Sequence, residues 1–174
     1  MPEASPDATI IIATSWQALD RAETGDERTI ISNCTVIIVF AAFYIEANLN
    51  HIIKTMGKTC EMMEYYGYRS GLQDKLAWFY VKFCADDKMK SKKEIYKELI
   101  PRFPGFDEIY RFRNSVSHGV IDRSLANLED AKKLRTQAIV IVNDLFDIAK
   151  QAGYKIPRGI TYEAAISSED ITSS

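Results

Sequence analysis

The feature that most constrains this chain is a long apolar period. Ile31, Cys34, Ile38, Ala41, Ile45, Leu49, Ile52 and Met56 recur at steps of three and four, the repeat of one helix face. That spacing predicts a single helix from about Arg28 to Met56. The opposite face carries Val36, Val39 and Phe43 and is apolar as well. A helix that is apolar all round is covered on both sides, and in a chain of 174 residues the second cover can be another subunit. The most apolar stretch, "VIIVFAAFYI" at 36–45, is ten residues long and bounded by Asn33 and Glu46. Crossing a bilayer takes about 20 apolar residues. The stretch therefore predicts a buried helix rather than a membrane span.

The remaining chain repeats the helical pattern. A short apolar run, Ile10 to Leu19, predicts a first helix lying on the bundle and ending near Gly25. Residues 59–68 read as a short helix or turn broken by Gly67 and Gly71. Leu76, Phe79, Tyr80 and Phe83 mark a helix from Leu72 to about Ala85. Ile95, Leu99 and Ile100 mark a short one that stops at Pro101 and Pro104. After the Pro104-Gly105 break, "FDEIYRFRNSVSH" reads as a helix with Asp107 and Glu108 in its first turn, where the macrodipole favours acids, and Gly119 stops it. The last long helix runs from near Ser124 to about Ala152, with Leu128, Ala131, Leu134, Ala138, Ile141, Leu145, Ile148 and Ala152 as its stripe. No strand and no internal repeat is evident. The expected fold is all-α, a bundle of four main helices with short accessory ones. It forms one domain over 1–174, with a core of about 28–152, a loose N-terminus and a partly ordered tail.

Composition narrows the function classes. A net charge of −2 and a pI of about 5.8 argue against a protein that coats nucleic acid by bulk charge, while leaving room for a local basic site. Cys34, Cys60 and Cys84 are too few and too scattered for a disulfide framework, so reduced, packed thiols in a cytoplasmic protein are expected. His51 with Cys60 and Cys84 lacks the paired spacing of a zinc site and reads as a surface histidine beside core thiols. No basic region followed by an apolar run marks a secretory signal. Glycine-rich phosphate loops, nucleophile elbows and dense carboxylate clusters are also missing from the pattern.

One polar stretch remains, "RNSVSHG" at 113–119. At about 100° per residue, Ile109, Phe112 and Val116 share the core side of their helix. Asn114 and His118 are i, i+4 neighbours nearly opposite, and Arg113 and Ser117 form a second such pair between the faces. The polar set thus points off its own core. A histidine in a last turn can simply cap free carbonyls. Beside a guanidinium with five donors, an imidazole is equally suited to phosphate chemistry. Spacing alone leaves both roles open. "KMKSKKEIYK" at 88–97 concentrates five lysines and a tyrosine, either a solvated face or a hold on an RNA backbone.

"RNSVSH" resembles the R-x4-H motif, in its RNxxxH form, of HEPN domains (higher eukaryotes and prokaryotes nucleotide-binding). As in that family, it comes late in a helical chain and before the final long helix. "FAAFYIEANLNHII" is similar to the early helix of several prokaryotic HEPN groups, and the resemblance covers about residues 28–152. It implies a metal-independent, cofactor-free endoribonuclease of a toxin–antitoxin or defence system, acting as a homodimer whose two motifs meet in one composite site. Carried over, Arg113 would bind the scissile phosphate and His118 would act as general base or acid. Asn114 would orient His118 or the substrate, and cleavage would leave a 2′,3′-cyclic phosphate. Glu46 resembles the polar residue of the early helix that can face the motif, although a plain exposed carboxylate fits equally well. Ser117, Lys92 and Lys93 complete the candidate substrate contacts. Toxins of this family that are silenced by nucleotide transfer carry a tyrosine two residues after the histidine; here that position is Val120. The alternative is a non-catalytic interaction or accessory subunit of the same fold, binding protein, nucleotide or RNA. An antitoxin or regulatory protein is a further expected partner, and a membrane is not.

Overall fold

The computed structural model describes residues 6–66, 71–85 and 91–157. Among them the chain is all-α, with helices α1 (Pro6–Thr24), α2 (Glu27–Thr55), α3 (Thr59–Tyr66), α4 (Leu72–Phe83), α5 (Lys92–Arg102), α6 (Phe106–Ser117) and α7 (Leu128–Gln151). Three are long and four short. Lys88, Lys90, Gly67 and the tail from 158 on lie outside the described residues.

The predicted 28–56 helix is α2, and the fold is organised around it. Asp26 caps its start by accepting the Thr29 N–H at 2.8 Å. Cys34, Ile38, Ala41, Ile45, Leu49 and Ile52 are all fully or almost fully buried, as their spacing requires. α1 and α7 lie along this helix, α6 crosses onto both α2 and α7, and α4 touches α2 while carrying α3 and α5. The other apolar face of α2 is left partly open: Val36 and Val39 are half-buried and Phe43 is 38% exposed. At 29 residues α2 is, among the described residues, the one helix long and apolar enough to cross a membrane by length and composition. The ten-residue stretch had suggested otherwise. A core helix meets the same test, and the inner face of α2 is buried against its neighbours.

Several boundaries differ from the sequence expectation for physical reasons. α1 starts at Pro6, where a missing N–H costs nothing because the first turn has no acceptor for it. The helix is part of the packed frame: Ser15, Ala18, Leu19 and Ala22 are buried, so packing begins ahead of residue 28. Arg135 of α7, itself buried, donates from Nε to Ser15 Oγ at 3.2 Å and stacks 3.4 Å from the Trp16 ring. α5 runs through Pro101 to Arg102. The Phe103 N–H closes it on the Leu99 carbonyl at 2.8 Å. α7 begins at Leu128 instead of near Ser124. Ser124 is held by Asp122, which accepts from its backbone N–H at 3.0 Å and its hydroxyl at 2.6 Å, and Asn127 takes the capping role. Beyond Gly153, Tyr154 and Ile156 still pack on the core.

The thiols and His51 also depart from expectation. Cys34 is buried and Cys84 half-buried, but Cys60 is exposed. Burial pushes the Cys34 and Cys84 thiols up, which leaves them poorly reactive. His51 is half-buried rather than on the surface, with Nε2 3.3 Å from the Pro157 carbonyl and its ring against Phe146.

Candidate functional site

α6 is a short amphipathic helix clamped at both ends by left-handed glycines. Phe106, Ile109 and Phe112 are its buried face. Gly105 precedes it at φ +83°, and a Cβ there would sit 2.0 Å from Gln137 Oε1, so the position excludes a side chain twice over. Gly119 follows at φ +76°. The Gly119 N–H donates to the Val116 carbonyl and the Val120 N–H to the Ser115 carbonyl, both at 2.9 Å, the paired bonds of a Schellman ending. The His118 N–H donates to Asn114 O and Ser115 O at 3.2 and 3.1 Å. The Asn114, Ser115 and Val116 carbonyls near the end of α6 are thus met by backbone, and His118 is exposed.

The polar residues of the motif gather around Arg113. Its Nη1 donates to Asn114 Oδ1 at 3.1 Å, and its Nη2 lies 3.9 Å from Glu46 Oε2 on α2. Glu46 also accepts from Lys75 Nζ of α4 at 2.8 Å. The guanidinium carbon stands 5.9 Å from the centroid of the exposed Phe43 ring. One carboxylate between two cations leaves the group at a net +1, with several guanidinium N–H donors still open. Ser117 is exposed and donates its hydroxyl to the Asn114 carbonyl at 2.7 Å. His118 follows Arg113 by five residues, roughly 7 Å along the helix axis.

The structure therefore brings Glu46, Arg113 and Asn114 into one group, joined by the Arg113–Asn114 hydrogen bond and the 3.9 Å Arg113–Glu46 ion pair, with Ser117 four and His118 five residues further along α6. Glu46 is not a plain exposed carboxylate. Lys92 and Lys93 are elsewhere: they line a hollow between α5 and the first half of α6 together with Tyr96, Lys97, Ile100 and Arg111. Lys92 is paired there with Asp74 at 2.6 Å. Sequence reading missed Lys75 and Phe43. Lys75 is 29 residues from its partner and has no local signal. Phe43 was assigned to a covered apolar face, and only the fold leaves it beside Arg113. Among the described residues no three His, Cys, Asp or Glu side chains converge as a metal site would require.

No protein-family model, curated protein or solved structure matches the chain.

Proposed function

We propose that this chain is a HEPN-type, metal-independent endoribonuclease of a bacterial or archaeal toxin or defence system, working in the cytoplasm as a homodimer. The observation that carries the reading is the Arg113 group: a guanidinium hydrogen-bonded to Asn114 and 3.9 Å from Glu46, net positive with its neighbours, five residues before an exposed imidazole. That is the donor set a phosphodiester needs. His118 would take the proton of a ribose 2′-hydroxyl, whose oxygen would attack the adjacent phosphorus. Arg113 would hold the non-bridging oxygens as charge builds on them. The bond to the 5′-oxygen would break, leaving a 2′,3′-cyclic phosphate, and a second imidazole would protonate the departing oxygen. A second copy of the motif would supply it.

The partly open face of α2 supports a two-fold arrangement. Val36, Val39 and Phe43 form an apolar strip, and Arg113 borders it at Phe43. A partner packed on that strip would bring its own motif toward the first. Four-helix HEPN topology, homodimerisation and an antitoxin partner belong to this proposal.

A second reading has one observation in its favour. Arg113 and Lys75 both lean on Glu46, an arrangement that also serves to pin α4 and α6 to α2. On that reading the fold is a non-catalytic interaction or accessory subunit. One experiment separates the two. Wild type and His118→Ala are incubated with structured and unstructured RNA in EDTA. Cleavage by the wild type alone, ending in cyclic phosphate, supports the nuclease. Absence of cleavage by both sinks it.

A further inference from the structure

The hollow between α5 and α6 holds more positive charge than the fold needs. Lys92, Lys93, Lys97 and Arg111 line it against one carboxylate, Asp107, in a chain of net charge −2. Two of these cations are answered locally: Lys92 by Asp74 at 2.6 Å and Arg111 by Asp107 at 3.1 Å. Asp74 raises the Lys92 pKa, so that charge is permanent. Lys93 and Lys97 are exposed and make no ion pair among the described residues. They are i, i+4 neighbours, so their like charges repel across one turn of α5. Ile100 continues the same face one turn later and is 50% exposed, above a floor that includes Leu99 and Phe106. The space amounts to about 510 Å³, within the range of small-ligand sites.

A repelling lysine pair beside an exposed apolar side chain is a poor arrangement for the isolated fold. It suits a polyanion that also carries flat apolar rings, which is the chemistry of a single-stranded nucleic acid. A polypeptide of acidic residues alone would satisfy the lysines and leave Ile100 uncovered. We infer that this hollow is a second RNA contact, in which Lys93 and Lys97 hold backbone phosphates and Ile100 lies under a base. Its position fits the motif histidine, because Arg111 lines the hollow and His118 follows it by seven residues, two turns along the same side of α6. From Asp107 to His118 is roughly 16 Å along that axis. A strand engaged at both places spans a few nucleotides, so the hollow would select unpaired substrate of at least that length.

The inference rests on the ribonuclease reading, and its test is arranged to fail separately. Binding is measured on the full chain carrying His118→Ala, with a labelled oligouridine of about 12 nucleotides, across a salt series. Each single-strand phosphate contact contributes about 0.7 to the slope of log K against log salt. Adding Lys93→Ala and Lys97→Ala should make the slope shallower by about 1.4, or weaken binding about 25-fold at 0.1 M salt. Both lysines are exposed and alanine favours helix, so folding, checked by circular dichroism, is preserved. Lys132→Ala with Lys133→Ala, on α7, should leave the slope within about 0.3 of the parent. An unchanged slope in the α5 variant overturns the inference, as does absence of oligouridine binding. Polyglutamate bound as tightly, with the same dependence on Lys93 and Lys97, overturns it in favour of an acidic protein partner. A wild type that binds but never cuts RNA instead defeats the nuclease reading.

Discussion

Replacing Gly105 by alanine should destabilise the chain much more than the same change at Gly119, although both glycines have positive φ and both border α6. An alanine in the left-handed region costs about 1 kcal/mol. At Gly119 that is the whole effect, because nothing lies within 4 Å of an added Cβ. At Gly105 the Cβ would meet Gln137 Oε1 at 2.0 Å, Cδ at 2.5 Å and Cβ at 3.1 Å. The amide end can rotate away; the Gln137 Cβ belongs to the α7 frame and can yield only by shifting the helix contact. Moving a packed side chain off its rotamer and easing that contact adds about 1–2 kcal/mol. Gly105→Ala should therefore cost about 2–3 kcal/mol and Gly119→Ala about 1 kcal/mol. For a chain of this size the losses correspond to about 4–12 °C and 2–4 °C in Tm. Thermal unfolding followed by circular dichroism at 222 nm reads both. Gln137 Oε1 is buried without a hydrogen-bond partner, so Gln137→Ala should itself be mild. In the Gly105→Ala background it should restore the part of the loss that comes from displacing the amide end, while the 3.1 Å contact with the Cβ, which alanine keeps, remains. Equal Tm changes at the two glycines, or no rescue by Gln137→Ala, would refute the close-approach argument.

Arg113→Lys keeps the charge but loses the planar fork that reaches Asn114 and Glu46 together, so RNA cleavage in EDTA should fall by about 10²–10³-fold; wild-type rates in this variant would remove Arg113 from the site. Burial raises the Asp74 carboxyl, but hydrogen bonds from Lys92 and Tyr96 outweigh it and leave its pKa below 3.8. A depressed folded pKa stabilises above the unfolded value and loses that contribution as pH falls through the folded one. Asp74→Asn should accordingly flatten the loss of Tm on acidification below pH 4, and an unaltered acid limb would contradict the pairing. His118→Ala should keep Tm within about 2 °C of wild type, because the side chain is exposed and the helix end is closed by backbone.

The fold was legible in the sequence to the extent that its stripes are continuous. The α2 and α7 periods translate into buried Ile38, Ile45, Leu49, Leu134, Ile141 and Leu145 at their centres, while Ile31, Leu128 and Ile148 near the ends are half-buried and Ala152, past the end of α7, is exposed. α1 was underestimated because its first turn begins in a proline-containing polar stretch whose helicity depends on packing against α2, which no local pattern records. Arg135 illustrates the same limit. A charged residue inside an apolar stripe reads as a break, and becomes intelligible only once Trp16 and Ser15 close over it from a helix 120 residues away. At the candidate site, the wheel correctly separated Arg113, Asn114 and His118 from Ile109 and Phe112. It could not supply Lys75 or the contact with Phe43, since both are made between helices.

The same geometry bears on why position 118 is a histidine. Capping was a sufficient explanation while only the sequence was considered. In the fold, the Schellman bonds of Gly119 and Val120 and the N–H of His118 itself satisfy the Asn114, Ser115 and Val116 carbonyls of α6. All of these are main-chain groups, and the positive φ they require falls on Gly119, so any residue could occupy 118 without loss of the cap. The imidazole is exposed, five residues from a guanidinium that donates to Asn114 and lies 3.9 Å from Glu46. Hydrogen-bond capping therefore gives no account of this side chain. An exposed imidazole five residues from Arg113 is compatible with the phosphodiester chemistry proposed above, and the separation of Tm from cleavage in His118→Ala puts that proposal to the test.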